Sequence, residues 1–413
     1  MSPHLRMILL FVVLAWILAA LGRHLHRRIR EAFHPPAWVS RLVAIAFGAG
    51  IVMTMVSRFL SGAPELARPM GSAGGAIVLG ILISSVLLLP YETFVMIAGV
   101  VQRRLAGRGA EPAQVQASAQ PPDLTPPSRV PATSARRDFL KQAAVGSATS
   151  VGMGAALYGA LIGRHDFTLE TVPVRLAKLP RSLDGLSIVQ LSDIHVGLFV
   201  GDPEFRRALE LVQQAKPDII VLTGDLLDHD ARFAPVLGRF VRALRDRAPR
   251  GLFAIPGNHD YYAGVEPVEA ALRGAGAEVL KNRHVVWGDA GGRLVLAGLD
   301  DVMAPDFGGA GPRLDQAFHG APPDLARVLL SHNPSYFQES HGAADLTLSG
   351  HTHGGQITLF INPAQLVLRH GYVRGHYSHG ESQLYVNRGF GTAGPPARVG
   401  SAPEVTKIVL TSS

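Results

Sequence analysis

The chain has 413 residues, 47% of them hydrophobic, a formal net charge of +7 and no cysteine. The absence of cysteine excludes disulfide bridges, thiolate metal ligands and a cysteine nucleophile. A mean hydropathy of +0.20 is high for a soluble enzyme and indicates membrane segments in addition to a globular core.

Three apolar runs in the first third of the chain predict membrane-spanning helices. They are Met7 to Leu21, Leu42 to Val56 and Gly71 to Leu89, and the last can extend past Pro90 to Val101. Each is close to the roughly 17 to 25 residues that a helix needs to cross a bilayer. One such run alone would be interpreted as a buried soluble helix, but three in succession beside arginine clusters favour spans. A cleaved secretory peptide does not fit the first run, because its arginines follow it instead of preceding it.

The arginines between these runs predict the orientation of the spans. The first connection carries five arginines and the stretch after the third run carries three, whereas the second connection has Arg58 and Arg68 against Glu65. Because basic connections stay in the cytoplasm, we expect the first and third connections inside and the N-terminus outside. Residues 1–104 are therefore assigned to a three-helix transmembrane region.

A stretch rich in Pro, Ala and Gln, residues 105–135, lacks hydrophobic periodicity and predicts a disordered cytoplasmic linker. Behind it, Arg136-Arg137-Asp138-Phe139-Leu140-Lys141 resembles the twin-arginine export signal, and a Gly/Ala-rich run follows, so residues 136–163 are assigned to this signal and a fourth transmembrane helix. The signal is internal, so the twin-arginine export machinery is only a candidate partner. With both arginines inside, the rest of the chain lies on the periplasmic side of a bacterial cytoplasmic membrane.

The charge is divided unevenly between the two parts of the chain. Residues 1–165 hold 16 Lys and Arg against 6 Asp and Glu, and the remainder holds 23 against 26. The basic excess therefore belongs to the juxtamembrane arginines, and no nucleic-acid partner is expected.

From residue 164 to residue 413 the pattern predicts an α/β catalytic domain. Eight short apolar runs bounded by turn residues predict strands: Ile188 to Leu191, Ile219 to Thr223, Leu252 to Ile255, Leu294 to Leu299, Val328 to Ser331, Leu346 to Ser349, Leu384 to Asn387 and Thr406 to Leu410. Amphipathic stretches predict helices between the early strands: Pro203 to Ala215, Ala231 to Arg245 and Pro267 to Ala275.

Polar groups follow five of these predicted strands. In chain order they are Asp193 with His195, Gly224-Asp225, Gly257-Asn258-His259-Asp260, Ser331-His332 and Gly350-His351-Thr352-His353. A single Gly-Asp or a lone His is ordinarily a turn or a structural residue. Ligands in α/β proteins gather at strand ends, so the five groups together predict carboxylate, carboxamide and imidazole ligands for two divalent metal ions.

The order and spacing resemble the calcineurin-like metallophosphoesterases, whose pattern is Asp-x-His, Gly-Asp-x-x-Asp, Gly-Asn-His-Asp, a later His and Gly-His-x-His. All five blocks occur between residues 187 and 356, and Gly354-Gly355-Gln356 resembles the membrane-associated YkuE/YaeI-like branch. The resemblance implies a four-layer metallophosphoesterase sandwich, with two mixed β-sheets flanked by helices, here preceded by the all-α transmembrane region.

The resemblance also implies ligand sets: one ion on Asp193, His195 and His353, a second on Asn258, His332 and His351, and Asp225 bridging both. The residues themselves agree in part, because Asp193 and His195 lie two apart and can point the same way. A carboxylate suits the bridge, since its two oxygens and negative charge offset two cations. The two divalent ions, Mn, Fe or Zn, would share a water and lower its pKa.

His259 follows Asn258 directly, and the resemblance implies that it stabilises or protonates the departing oxygen, with Asp260 orienting its ring. Packing of the loop is the alternative role. Asp228 is expected to support the ligands and not to bind metal. Arg398 is interpreted as part of a surface ion pair, and contact with a substrate phosphate is the alternative.

The sequence thus predicts a membrane-anchored dimetal phosphoesterase that hydrolyses a phosphodiester or pyrophosphate through a metal-bridging water or hydroxide. Small-molecule and lipid-linked envelope phosphoesters both remain open as substrates. Two other functions are considered: a dimetal hydrolase of a non-phosphorus bond, such as an amidase, and a non-catalytic sensor or scaffold that retains the fold. The Gly-Asn-His-Asp block argues against the first, and the complete ligand set argues against the second.

Overall fold

A computed structural model describes residues 3–60, 62–106 and 132–412. The chain divides into two compact units. The helical unit comprises Met1–Val56 with Ala73–Leu157, and the catalytic unit comprises Ser57–Ser72 with Tyr158–Ser413. Most of the predicted linker, residues 107–131, lies outside the described residues.

Four long helices, α1 to α4, begin the chain: Pro3–Phe33, Ala37–Phe59, Pro64–Ala106 and Ala132–Leu161. Among the described residues, three helical stretches are long and apolar enough to cross a membrane: Ala37–Phe59, Pro64–Arg104 and Ala135–His165. They contain the second, third and fourth predicted spans. The first predicted span lies within α1 and stays a prediction. Helix α3 continues through Pro90, as the longer version of the third span expected.

Inside the helical unit, polar side chains connect the basic part of α1 with α3 and α4. Glu92 accepts a hydrogen bond from Arg28 Nε at 2.9 Å and lies 2.6 Å from His24 Nε2. Lys141 Nζ donates to the backbone carbonyl of Glu31 at 2.5 Å. Arg28 of the basic stretch is therefore held by a carboxylate of α3, and Lys141 of α4 is held by a backbone carbonyl of α1.

Twelve described strands and seven described helices make up the rest of the catalytic unit. The strands are β1 (Thr168–Arg175), β2 (Ser187–Leu191), β3 (Ile219–Thr223), β4 (Leu252–Ile255), β5 (Glu278–Val279), β6 (Arg283–Asp289), β7 (Gly292–Gly298), β8 (Arg327–Leu330), β9 (Leu346–Ser349), β10 (Gly375–His379), β11 (Ser382–Val386) and β12 (Glu404–Thr411). The helices are α5 (Asp202–Ala215), α6 (Ala234–Arg245), α7 (Asn258–Ala263), α8 (Val265–Gly274), α9 (Leu314–Ala317), α10 (Phe337–Ser340) and α11 (Pro363–Val367).

The strands form two six-stranded mixed sheets, in the orders β1-β12-β2-β3-β4-β5 and β10-β11-β9-β8-β7-β6. In the first sheet only the β12–β2 pair is antiparallel, and in the second sheet only β10–β11 and β7–β6 are. All eight predicted strands are confirmed, and they are the eight interior strands. The four strands that were not predicted, β1, β5, β6 and β10, are the four sheet edges.

Strand β3 shows how the layers are built. Ile219 and Val221 pack with residues of both sheets, whereas Ile220 and Leu222 pack with helices α5, α6 and α8. Successive side chains of a strand point to opposite faces, so a strand buried on both faces needs an uninterrupted apolar run. The outer face of the second sheet packs against α9 and α10. The predicted four-layer sandwich of helices, two sheets and helices is therefore confirmed.

Candidate metal centre

The five polar groups lie directly after strands β2, β3, β4, β8 and β9, which belong to both sheets. Backbone hydrogen bonds connect these loops: Asp193 N–H donates to Gly224 O and His195 N–H to Asp225 O, both at 3.0 Å. The N–H of His351, from the second sheet, donates to the carboxylate of Asp193 at 3.0 Å. The loops of the two sheets thus form one connected region.

One cluster consists of Asp193, His195 and His353, all buried. His353 Nε2 lies 3.4 Å from Asp193 Oδ1 and 3.1 Å from His195 Nε2. Two ring nitrogens at this distance cannot both direct a proton at each other. The three side chains therefore present at least one lone pair toward a shared point, as a metal site requires.

A second cluster consists of Asp225, His332 and His351. His332 Nε2 lies 3.3 Å from Asp225 Oδ2, and His351 Nδ1 lies 2.9 Å from Asn258 Oδ1, which brings the carboxamide into the cluster. Asp225 Oδ2 is also 3.7 Å from His195 Nε2 of the first cluster. One carboxylate oxygen therefore faces both clusters.

The environment of His332 tests whether this cluster suits a cation. Its Nδ1 lies 2.7 Å from the carbonyl of Thr223 and must donate there. Its Nε2 is buried without a well-directed hydrogen-bond partner among the described residues and faces the carboxylate of Asp225. Either a proton or a metal ion must lie between these two acceptors, so the donor set fits a metal ion.

Burial sets the protonation of three of the imidazoles. It lowers the pKa of His195 and of His351 to about 4 each, and it lowers the pKa of His353 well below its usual range. These rings are therefore neutral at pH 7, which is the form that binds metal. Burial opposes ionisation of Asp225, but the charge of His332 outweighs it and holds the pKa of Asp225 well below its usual range.

The backbone of the cluster is strained. Five candidate ligands have positive φ angles between 50° and 71°, which L-residues adopt at a cost of about 1–3 kcal/mol each: Asp193, His195, Asp225, His351 and His353. Neighbouring glycines make room for them. A Cβ at Gly257 would collide with the backbone nitrogen of Asp225, and a Cβ at Gly350 would collide with the carboxylate of Asp193. The glycines of the motifs are therefore required by close packing against the ligands.

The ring of His259 lies beside the first cluster, with its centroid 4.6 Å from that of His195 in an edge-on arrangement. Its Nδ1 is 2.5 Å from the carbonyl of Asp228, and its backbone N–H donates to Asp225 Oδ1 at 2.8 Å. Burial disfavours the charged ring, but the hydrogen bond to Asp228 and the charges of Asp225 and Asp228 outweigh it and raise the pKa of His259 to about 9.

The prediction that Asp260 orients the His259 ring is wrong. Asp260 is the third residue of α7, and its carboxylate turns back to accept the N–H of Gly257, as in a capping box. It also accepts the N–H groups of Leu226 and Leu227 at 2.9 Å. Asp260 therefore joins the loops after β3 and β4, and Asp228 holds the ring.

The interpretation of Arg398 as a surface ion pair is also wrong, and so is contact with substrate. Arg398 is 1% exposed. Its guanidinium lies 3.1 Å from His353 Nδ1, and it donates to the backbone carbonyls of Arg388, Gly389, Gly391 and Ser401. It thus fastens the last loops of the chain behind a candidate ligand. The sequence could not show this, because nothing in it reveals that these loops wrap one side chain.

Asp301 was not singled out from the sequence, although it follows β7 much as the ligand groups follow their strands. It is buried, its Oδ1 accepts the N–H of Met303 at 2.8 Å, and its Oδ2 lacks a hydrogen-bond partner among the described residues. Burial raises the pKa of Asp301. An aromatic pair was also missed: the ring of Tyr262 lies 5.0 Å from that of His259 and 5.3 Å from that of Phe307.

Comparison with known proteins matches residues 186–355 to the family described as calcineurin-like phosphoesterase. A Danio rerio protein named transmembrane protein with metallophosphoesterase domain is 34% identical over 272 residues, 62% of this chain and 60% of that protein. The Bacillus subtilis protein named uncharacterized metallophosphoesterase YkuE is 31% identical over 294 residues, 67% of this chain and 98% of YkuE. The crystal structure of a 5'-nucleotidase precursor from Thermus thermophilus aligns at 17% identity with a TM-score of 0.36, over 55% of this chain and 54% of that chain.

The match therefore spans under two thirds of the Danio rerio protein but nearly the whole of YkuE. The family match covers the five motif blocks and strands from both sheets. With this identity maintained over almost all of YkuE, the chain belongs to the calcineurin-like metallophosphoesterases.

Proposed function

We propose that the chain is a membrane-anchored dimetal phosphoesterase that hydrolyses a phosphodiester or pyrophosphate bond. The observation that carries the proposal is the position of Asp225 Oδ2, which lies 3.7 Å from His195 Nε2 and 3.3 Å from His332 Nε2. Each of these imidazoles belongs to a different three-residue group able to hold an ion. A single carboxylate between two such groups suits a pair of cations with a shared ligand.

The ligand assignment follows the two clusters: Asp193, His195 and His353 for one ion, Asn258, His332 and His351 for the other, and Asp225 for both. Imidazole nitrogens with carboxylate and amide oxygens, and no thiolate, suit Mn, Fe or Zn. When bound, two such ions would lower the pKa of the attacking water and would neutralise the phosphate oxygens.

His259 is the proposed catalytic residue. Because its Nδ1 donates to the carbonyl of Asp228, its Nε2 is the atom available to give a proton to the departing oxygen. In the reaction a water gives up one proton to solvent and its oxygen bonds to phosphorus. The bond from phosphorus to the leaving oxygen breaks, that oxygen takes the proton of His259, and the ring regains a proton from solvent. The backbone carbonyl of Asp228 holds the His259 ring, and the Asp228 carboxylate acts as a positioning group whose charge raises the pKa of that ring.

The proposed location is a bacterial cytoplasmic membrane, with the catalytic unit on the periplasmic face and the twin-arginine export machinery as candidate partner. Support comes from residues 57–72, the end of α2 and the beginning of α3, which belong to the same compact unit as the candidate ligands. This connection is the arginine-poor one that the positive-inside rule assigns to the outside. Lipid-linked envelope phosphoesters are proposed as substrates beside soluble ones.

Metal removal tests the proposal. The full-length chain in lipid nanodiscs would be stripped with a chelator, resupplied with Mn²⁺ or Zn²⁺, and assayed with methyl p-nitrophenyl phosphate and with a chromogenic amide. We expect two ions per chain and diester turnover only after metal is restored. Turnover of the amide alone would favour a hydrolase of a non-phosphorus bond, and metal binding without turnover of either compound would favour a sensor or scaffold.

A further inference from the structure

Within the catalytic unit, and leaving aside the ends of the long apolar helices, the most exposed apolar side chains lie in one short segment. Phe360, Ile361, Leu366 and Val367 are 79%, 64%, 76% and 76% exposed. Among the described residues of this unit outside 57–72 and 158–162, the next large apolar side chain is Phe307 at 43%. Soluble surfaces rarely keep such side chains together in water, so this segment needs an apolar environment to cover it.

The segment is attached to the metal centre at both ends. We call residues 359–374 the interfacial segment. Asn362 Nδ2 donates to the carbonyl of Gly354 at 3.1 Å, and Thr352 Oγ1 donates to the carbonyl of Val373 at 2.6 Å. Gly354 and Thr352 flank the candidate ligand His353. Whatever covers the apolar side chains therefore lies next to the reaction site.

The charges of the interfacial segment indicate that a lipid surface covers its apolar side chains. Arg369 and Arg374 are exposed, and residues 346–380 contain no Asp or Glu. Short apolar helices beside basic residues lie in the headgroup region of bilayers, where the arginines meet anionic lipids and the apolar side chains reach the acyl chains. Helix α11, with Leu366 and Val367 exposed, has this pattern.

The ends of two apolar helices contact the loop of residues 394–399, and the residue just before the interfacial segment is hydrogen-bonded to the same loop. Thr358 N–H, just before the segment, donates to Val399 O at 2.7 Å. Within the catalytic unit, the same loop accepts a hydrogen bond from Arg58 at Gly394 O, and Arg398 N–H donates to the carbonyl of Gly159. Arg58 and Gly159 lie near the ends of stretches long and apolar enough to span a membrane, so a bilayer crossed by these stretches would begin beside this loop.

We propose that the interfacial segment inserts Phe360, Ile361, Leu366 and Val367 into the lipid surface, and that the metal centre thereby takes its phosphoester from a membrane lipid. The inference rests on the proposed function and specifies its substrate class. Insertion of the apolar side chains about 5–10 Å into the headgroup boundary would hold the metal centre at the level where lipid phosphates lie.

Fluorescence quenching tests the insertion directly, and the chain suits it because it has no cysteine. Leu366→Cys and, as a matched control, Val286→Cys on edge strand β6 would be labelled with NBD in full-length protein in nanodiscs. We expect spin-labelled phosphatidylcholine to quench most of the emission at position 366 and to leave position 286 unchanged. A label at 366 that is quenched by aqueous iodide and not by the spin-labelled lipid would overturn the proposal.

A pair of substrates with the same scissile group tests the consequence. Hexadecyl p-nitrophenyl phosphate would be incorporated in bilayers containing phosphatidylglycerol, and methyl p-nitrophenyl phosphate would be supplied in solution. We expect Leu366→Ser with Val367→Ser to reduce turnover of the long-chain ester about tenfold or more, because two apolar side chains lose their transfer to lipid. Turnover of the methyl ester should be unchanged, and Val286→Ser should change neither.

The two substrates separate failure of this inference from failure of the proposed function. If the wild-type chain hydrolyses neither ester with metal present, the proposed phosphoesterase function fails. If it hydrolyses both and the double variant lowers neither or lowers both equally, the phosphoesterase function stands and the lipid-surface inference is wrong.

Discussion

The metal centre and the interfacial segment reverse the usual distribution of polar and apolar groups in opposite ways. In the metal centre, carboxylates and imidazoles are buried: Asp193, His195, Asp225, His332 and His353 are at most 5% exposed. In the interfacial segment, Phe360 and Leu366 are largely exposed. Burying polar groups and exposing apolar ones both oppose folding, so each region indicates a partner that compensates for it.

The two regions differ in how they are held. The metal centre is crossed by hydrogen bonds between loops of both sheets and adopts a strained backbone at five ligands. The interfacial segment is fastened at its ends, through Asn362 and Val373, and the described part of the chain leaves its apolar side chains largely exposed. Metal ions require ligands in a fixed geometry, and the metal centre is held by many hydrogen bonds. A lipid surface requires only an apolar face, and the interfacial segment is held only at its ends.

If this contrast is correct, the largest effect should follow substitution of Asp225, the carboxylate shared by both clusters, and activity toward every substrate should be lost. Asp225→Asn keeps the shape and removes the charge that faces both clusters. We expect fewer than two ions per chain, and a fall in kcat beyond the about 10–100-fold that follows loss of a group which only supports a ligand. Metal analysis and turnover of the two p-nitrophenyl esters measure this.

A suitable control is Asp289→Asn, since Asp289 is an exposed carboxylate at the end of β6. It should retain two ions and full turnover. An Asp225→Asn variant that keeps both ions and normal kcat would show that the buried polar cluster is structural. The buried polar groups would then no longer indicate that cations are their partner.

Arg398→Met should give the next largest effect, because the metal centre depends on internal fastening that the interfacial segment lacks. Methionine leaves several buried carbonyls without a donor, and loss of a buried charged partner costs about 3–5 kcal/mol. Denaturant unfolding of the full-length chain in nanodiscs measures the stability, and metal content at fixed free Zn²⁺ measures the site. Arg232→Met, on an exposed arginine, is the control and should change neither. Normal stability of Arg398→Met would contradict the fastening role.

Asp228→Asn should give a smaller effect, confined to the chemical step. We expect kcat to fall about 10–100-fold with metal content and KM retained. The pH profile provides the distinguishing readout: the charge of Asp228 raises the pKa of His259, so its removal lowers that pKa and the proton donor is lost at a lower pH. The alkaline limb of kcat should therefore move to lower pH. An unmoved limb would mean that Asp228 does not act through His259.

The sequence predicted interior strands and site residues well for the same physical reason. Interior strands such as β3 are buried on both faces and form continuous apolar runs, and ligand groups follow them at turns that require glycine. The edge strands were not predicted because one side of each is unpaired and their side chains are mixed in character. In β1 three half-buried residues are followed by exposed residues that alternate with half-buried or buried ones, and the strand contains Pro173.

The wrong predictions concern residues whose position in the sequence does not determine where their side chains point in the fold. Asp260 follows His259, but as the third residue of α7 it points back to Gly257, while Asp228 of another loop reaches the ring. Arg398 is charged and close to glycines and prolines, features typical of a surface loop, yet it is buried. The apolar residues of the interfacial segment have a composition that a buried strand or helix would share, so only the fold reveals their exposure.

The smallest predicted effect concerns Asp301. It sharpens the contrast between the metal centre and the interfacial segment, because it compares the stability of the fold with and without bound cations. Burial raises the pKa of Asp301, so the folded chain holds this proton to a higher pH than the unfolded chain. The carboxyl therefore destabilises the metal-free fold increasingly as pH rises above its unfolded pKa of about 3.9. Asparagine cannot ionise and can still accept the N–H of Met303.

In chelated full-length protein, Asp301→Asn should raise the apparent Tm at pH 8, and the gain should disappear at pH 4, where the wild-type carboxyl is also neutral. Asp306→Asn, on a neighbouring exposed carboxylate, should show no such pH dependence. Added Zn²⁺ should reduce the gain, because nearby cations favour the charged carboxylate. A gain unaffected by metal would mean that Asp301 does not sense the ions, and the buried charge at this edge of the site would then need an explanation other than cation binding.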